Sequence, residues 1–303
     1  MRVIDAHSHF FSRTYFETLA AQSPLPGSVA QRLEDLARRA GVEIPTPDVA
    51  AHLARWIGEM DRAEVEHLCT FASVGQELPA VVEAAALSGG RLSAFALVDP
   101  RVDGIADRVR ALLEQGKLRG ALVFPALHHY RIDGPEAAGL LRVLAAQRAV
   151  VYVHCGLLVV RLRDLLGIPR TQDVRFADPL DLIPAANAHP ALTFVIPHFG
   201  AGFFREALMA GTQCENVLVD TSSSNSWTST QAPALTLRDV FARALDVFGA
   251  QRVLFGTDSN VFPYGWRRDR LAQQRAVLDE LGVGAPEQEL IFHENVRRVL
   301  RLP

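Results

Sequence analysis

The sequence predicts a (β/α)₈ barrel, distorted by helical insertions after its first and fifth strands. Three observations point to it. Eight short apolar runs punctuate the chain, several of them continuous Val, Ile, Leu and Phe, as in strands buried on both faces of a parallel sheet. Amphipathic stretches with helical spacing separate the runs. Finally, His or Asp residues stand at the carboxyl ends of runs one, five, six and eight, which in a barrel open onto one shared bowl.

The first run is Val3–Ala6. Phe10 to Pro47 interrupts the alternation after it, and within that insertion Val29–Ala40 reads as a helix. Val49 to Ala63 puts Leu53, Trp56, Ile57 and Met60 on one stripe and is the first barrel helix. The strands His67–Ala72, Leu92–Val98, Gly120–Phe124 and Val150–His154 follow, with helical patterns at Ile105 to Leu113 and Ala137 to Ala146. Gly156 to Asp178 then forms a second insertion, carrying Arg161, Arg163, Arg170 and Arg175. Both insertions leave the carboxyl end of a strand, where a barrel builds its active site, so both are candidate lids. Leu192–Pro197, Val217–Asp220 and Val253–Gly256 complete the strands, and Leu271 to Leu281 is a further helix.

Composition narrows the function classes. The 303 residues are 49% hydrophobic, ample for a buried core, which excludes disordered and fibrous classes. Thirty-four acids against 31 bases leave a net charge of −3 and no basic field for nucleic acid or an anionic membrane. The most apolar stretch, Ala149 to Val160, is broken by His154, so no span of a bilayer is expected. Met1 to His7 lacks the apolar core of a secretory signal. Cys69, Cys155 and Cys214 are odd in number and scattered, which fits a reducing cytoplasm. No Gly/Ser/Pro-rich linker divides the chain, so residues 1–303 are read as one domain.

The chemistry sits at the strand ends. In Asp5-Ala6-His7-Ser8-His9, alternate residues of a strand point to the same side, so two imidazoles can converge on a borderline cation such as zinc. His154 ends Val-Val-Tyr-Val-His, His198 ends Val-Ile-Pro-His, and Asp258 ends Phe-Gly-Thr-Asp. A lone histidine at a strand end is more often structural; four such sites in one eight-strand pattern are a different matter. His7 and Asp258 lie at opposite ends of the chain, so a shared site requires one closed unit.

These residues, with Trp56, Met60-Asp61-Arg62-Ala63, Leu97-Val98-Asp99-Pro100, Asp178-Pro179-Leu180, Pro197-His198-Phe199-Gly200, Asp220-Thr221-Ser222 and His293-Glu294-Asn295, resemble the amidohydrolase superfamily. The likeness is to its amidohydrolase-related branch, which also contains metal-dependent decarboxylases similar to aminocarboxymuconate semialdehyde decarboxylase. It implies that His7, His9, His154 and Asp258 hold one divalent ion, with Zn²⁺ expected and Mn²⁺ or Fe²⁺ as alternatives. It implies that His198 either ligates the ion or hydrogen-bonds its water. Binuclear members carry a lysine or glutamate at the end of strand four. Here Gly120 to Pro125 has neither, so a single metal is expected.

The expected activity is hydrolysis of a small amide, lactone or related carboxylated substrate by metal-activated water, with Asp258 and His198 as catalytic groups. Non-oxidative decarboxylation or hydration within the same family are the alternatives; a phosphoesterase of the His-x-His type, or a non-catalytic binding barrel, are the rivals from other classes. Arg205, Arg267, Trp266, His128 and Tyr130 are candidate substrate contacts, an arginine there being suited to a planar hold on a carboxylate. Ser222, Ser223 and Ser224 could touch substrate. Cys155 is read as a core thiol, Asp5 as a local hydrogen-bond acceptor, and His293 and Asn295 as docking the last helix. The partners expected are a small-molecule substrate and a second copy in a homodimer.

Overall fold

The computed structural model describes residues 2–302 apart from 223–226, so Ser223 and Ser224 lie outside the described residues. Eight parallel strands follow one another in chain order. They are β1 (Val3–His9), β2 (Val65–Phe71), β3 (Leu92–Val98), β4 (Gly120–Val123), β5 (Val150–Val153), β6 (Thr193–Ile196), β7 (Val217–Asp220) and β8 (Val253–Leu254). The seam between β8 and β1 is closed by Ala6 N–H to the Phe255 carbonyl at 2.8 Å and Asp258 N–H to the His7 carbonyl at 2.9 Å. This is the (β/α)₈ barrel the alternation predicts.

Side chains fill the barrel in layers. Ile4, Ala6, Phe71, Phe95, Leu122, Tyr152, Val195, Leu218 and Leu254 form the interior cluster, and Val296 and Leu300 of the terminal helix Asn295–Leu300 join it. A larger apolar layer lies between the strands and the surrounding helices, including Trp56, Met60, Phe241 and Phe292. Close strand packing leaves no room for a side chain at Gly120, where a Cβ would meet the Val150 carbonyl oxygen at 1.9 Å.

The two insertions pack on each other. The first holds helices Arg13–Gln22 and Val29–Ala40, the former not foreseen in the sequence; the second holds a short helix, Arg161–Leu165, and a 3₁₀ turn, Val174–Phe176. Tyr15, Phe16, Leu19, Leu33 and Leu36 of the first share a small core with Leu162, Leu166 and Ile168 of the second. The Ser23 hydroxyl donates to the Leu166 carbonyl at 2.5 Å, and Arg39 to the Leu165 carbonyl at 2.7 Å. Together they form a cap with its own apolar core over the carboxyl ends of the strands. No helix among the described residues is long and apolar enough to cross a membrane.

Candidate metal centre and active site

Strict alternation along β1 would send His7 away from the barrel interior, because Ile4 and Ala6 already face inward. The pairing of β1 with β2 shifts register between Asp5 and Ser8. That irregularity resets the alternation, as a bulge does. The His7 ring accordingly packs 4.7 Å from Phe71 and 4.7 Å from His198. Asp5 anchors the turn: its carboxylate accepts from His7 N–H (2.9 Å), Thr257 N–H (3.1 Å), the Thr257 hydroxyl (2.5 Å) and the Trp266 indole N–H (2.8 Å). Burial raises the Asp5 pKa to about 6 against those bonds.

Each histidine is oriented by its Nδ1. His7 Nδ1 meets Asp220 Oδ2 at 2.7 Å, His9 Nδ1 meets Ser73 Oγ at 2.7 Å, and His198 Nδ1 meets Ser222 Oγ at 2.8 Å. A partner on Nδ1 leaves Nε2 available. His9 Nε2 stands 3.2 Å and His7 Nε2 3.9 Å from Asp258 Oδ1. Asp258 sits at φ 59°, and His198 and Phe199 share that left-handed conformation at 55° and 54°. Such backbone costs about 1–2 kcal/mol per residue and clusters at functional sites.

His154 is the exception. It is 2% exposed, its ring stacks on Phe124 with centroids 4.5 Å apart, and neither ring nitrogen has a hydrogen-bond partner. Two orphaned nitrogens cost free energy unless something binds them. The His154 ring lies 5.2 Å from that of His198, beside the other groups. Donor atoms of His7, His9 and Asp258 fall within 4.8 Å of one another, as do those of His7, His198 and Asp220. The donor set of imidazoles and carboxylate, with one imidazole left bare, fits a divalent ion.

Protonation states agree with that fit. Burial lowers the His154 pKa well below its ordinary value, and the neighbouring His198 and His7 lower it further. Burial likewise lowers His9 and His198, keeping these imidazoles neutral as ligands must be. At His7 burial opposes protonation, but Asp220, Asp258 and Asp5 outweigh it and hold the pKa above normal. A cation placed among those carboxylates would compete with that proton. Burial would raise Asp258, yet its contact with His9 and its electrostatic attraction to the surrounding His198, His9 and His7 rings hold it well below the usual carboxylate range.

The centre floors a cavity of about 450 Å³ between barrel and cap. Of the proposed substrate contacts, only Arg267 lines it, with its guanidinium paired to Asp269 at 2.8 and 2.6 Å. The others stand elsewhere. Trp266 is buried and spends its indole N–H on Asp5, and Arg205 is 81% exposed beside Glu206. His128 ends the short helix Pro125–His128, and Tyr130 packs into the outer apolar layer. Asn295 docks the last helix by donating to the Ala250 and Val253 carbonyls, and His293 bonds Glu66 and Glu294.

Sequence reasoning missed three supports: Asp220, Ser73 and Glu77. Glu77 is 0% exposed and accepts Ser12 N–H at 2.7 Å and Ser73 N–H at 2.8 Å, binding together the chain after β1 and the turn carrying Ser73. Burial raises its pKa from 4.5 to about 7, against those bonds. The folded protein therefore binds this proton more tightly than the unfolded chain. Stability from this group is full below pH 4.5 and falls as pH rises towards 7, by about 3 kcal/mol at most. Asp5 adds a term of the same sign, so the test is a difference. Urea midpoints of wild type and Glu77→Gln, measured from pH 5 to 8, are expected to shift in favour of the variant as pH rises. A difference independent of pH refutes the titration.

A family model described as amidohydrolase matches residues 4–302. The chain belongs to the amidohydrolase family. No curated protein sequence matches it. The barrel is similar to that of 5-carboxyvanillate decarboxylase from Sphingomonas paucimobilis, with 13% identity, 100% of this chain and 99% of that one covered, and a TM-score of 0.66. A probable 2-pyrone-4,6-dicarboxylic acid hydrolase from Acinetobacter baumannii, with citric acid bound, aligns at 15% identity over 99% and 100% of the chains, TM-score 0.63. A dihydroxybenzoic acid decarboxylase from Polaromonas, with bound manganese and an inhibitor, aligns at 15% identity over 99% and 97%, TM-score 0.66. At these identities the likeness establishes the shared fold. As a member of this amidohydrolase family, the chain is an enzyme of metal-dependent type.

Proposed function

We propose that this amidohydrolase is one barrel unit that holds a single divalent ion, zinc before manganese or iron, and hydrolyses a small carboxylated amide or lactone in the cytoplasm. The observation that carries the reading is His154, buried with both ring nitrogens unpartnered beside His7, His9, His198 and Asp258. His7, His9, His154 and Asp258 would hold the ion. Phe124 supports one ion rather than two, since an aromatic ring stacks on His154 where binuclear relatives would place a bridging group. A bound divalent ion would polarise a substrate oxygen and acidify water at the site. Asp258, kept ionised, would accept a proton and return it to the leaving group. His198, its Nδ1–H held by Ser222 whose own hydroxyl donates to Asp220, would turn an unprotonated Nε2 to the site, free to ligate the ion or to accept a proton. The three buried free cysteines fit a reducing compartment.

One observation favours decarboxylation as a second reading. Leu97, Leu122, Phe124 and Leu127 wall the cavity beside the histidines, and an apolar wall favours conversion of a carboxylate into neutral carbon dioxide. Protein purified without chelator is expected to carry about one divalent ion per chain, and chelation to abolish turnover. Near-zero metal in active protein would overturn the proposal. Incorporation of labelled solvent oxygen with cleavage of an amide or lactone bond marks hydrolysis, whereas stoichiometric carbon dioxide release moves the assignment to decarboxylation.

A further inference from the structure

The second insertion carries four arginines, and they divide into two pairs. Arg170 closes on Asp164 through two bonds of 2.9 and 2.7 Å, and Arg175 closes on Asp173 through bonds including one of 2.5 Å. Neither lines the cavity above the histidines. Arg161 and Arg163 both line it, and neither makes a salt bridge among the described residues. They flank Leu162, whose side chain enters the core of the cap. Two arginines lining a concave site without an acidic partner call for an anion supplied by the ligand.

The space beneath them has a second character. Leu19, Val42, Val160 and Leu162 line the same cavity and also belong to, or pack against, the cap core. A volume of about 450 Å³ is in the range that encloses a drug-sized ligand. A single small polar acid would leave these walls without contacts, and apolar walls gain only when apolar surface covers them.

We propose that the cap is a specificity device for amphiphilic acids. Arg161 and Arg163 take the anionic group, and Leu19, Val42, Val160 and Leu162 cover an apolar body larger than one ring. This rests on the cavity above the histidines being the substrate site, but not on the reaction performed there. The ligand class is therefore an organic acid with an extended alkyl or aryl part, rather than a compact polar polyacid.

Titration calorimetry on the metal-loaded enzyme tests this with benzoate, 4-butylbenzoate and the neutral 4-butylbenzyl alcohol. Wild type is expected to bind 4-butylbenzoate at least tenfold more tightly than benzoate. The double variant Arg161→Gln/Arg163→Gln is expected to lose at least tenfold affinity for both acids and none for the alcohol. Arg175→Gln, which removes a positive charge from the same insertion away from the cavity, should bind all three as wild type does. Equal binding of the two acids by wild type, or unchanged acid binding in the double variant, overturns the proposal. Metal content measured on the same samples separates the two readings. Loss of the metal with the acid preference intact counts against the metal centre alone; a full metal complement without the preference counts against the cap.

Discussion

Asp258→Asn is expected to lower kcat/KM by about 10³–10⁴-fold in a chain that still folds, with a lower melting temperature because the carboxylate favoured by the surrounding histidines is gone. The substitution isolates charge from shape. Asparagine is isosteric and, like aspartate, tolerates the left-handed backbone that places this residue at φ 59°. The bond from its own N–H to the His7 carbonyl, 2.9 Å in length, belongs to the main chain and survives. What disappears is the ionised oxygen standing 3.2 Å from His9 Nε2 and 3.9 Å from His7 Nε2. That oxygen is the carboxylate both histidines face, and in the proposed reaction it accepts and returns the proton. An amide can do neither. Steady-state kinetics on the wild-type substrate, with calorimetric melting of the same samples, checks the outcome. Activity within tenfold of wild type would remove Asp258 from the mechanism.

The barrel was legible because its determinants are local and repeated. Val150–Val153 and Val217–Val219 are apolar without a break, as strands buried on both faces of a parallel sheet are. That His7, His9, His154, His198 and Asp258 come together was legible for a related reason: strand ends in a closed barrel meet irrespective of their distance along the chain. Their supports were not. Asp220 stands at the end of β7 like any strand-terminal carboxylate, and nothing in its neighbourhood in the sequence says that it lies 2.7 Å from His7 Nδ1. Ser73 and Glu77 sit in a turn whose path depends on the cap. Trp266 looked like a cavity aromatic because it follows β8. It turns inward instead, since the buried Asp5 carboxylate needs a donor and the indole N–H supplies it. Arg161 and Arg163 could not be told from Arg170 and Arg175 by spacing, because a nearby aspartate decides which pair stays free.

Asp220→Asn should cost stability and metal retention together, and the geometry explains why no relaxation rescues it. One carboxylate oxygen takes His7 Nδ1–H; the other accepts His198 N–H at 3.0 Å, Ser222 N–H at 2.9 Å and the Ser222 hydroxyl. The group is 0% exposed, so water can substitute for none of these. Asparagine keeps only one acceptor oxygen. If that oxygen stays with His198 and Ser222, the amide NH₂ faces His7 Nδ1 and pushes the ring proton to Nε2, the nitrogen directed at Asp258. If the amide turns over, His7 keeps its tautomer but two buried N–H donors at the end of β6 and after β7 lose their acceptor. The first orientation spoils the metal site, the second the backbone around it. Removing one partner of such a buried pair costs about 3–5 kcal/mol, and losing the group that orients a ligand histidine weakens metal binding about 10–100-fold. Chelator competition and urea unfolding of the variant measure the two losses separately. Wild-type values in both would mean that Asp220 is neither holding His7 nor shaping the mouth of the barrel.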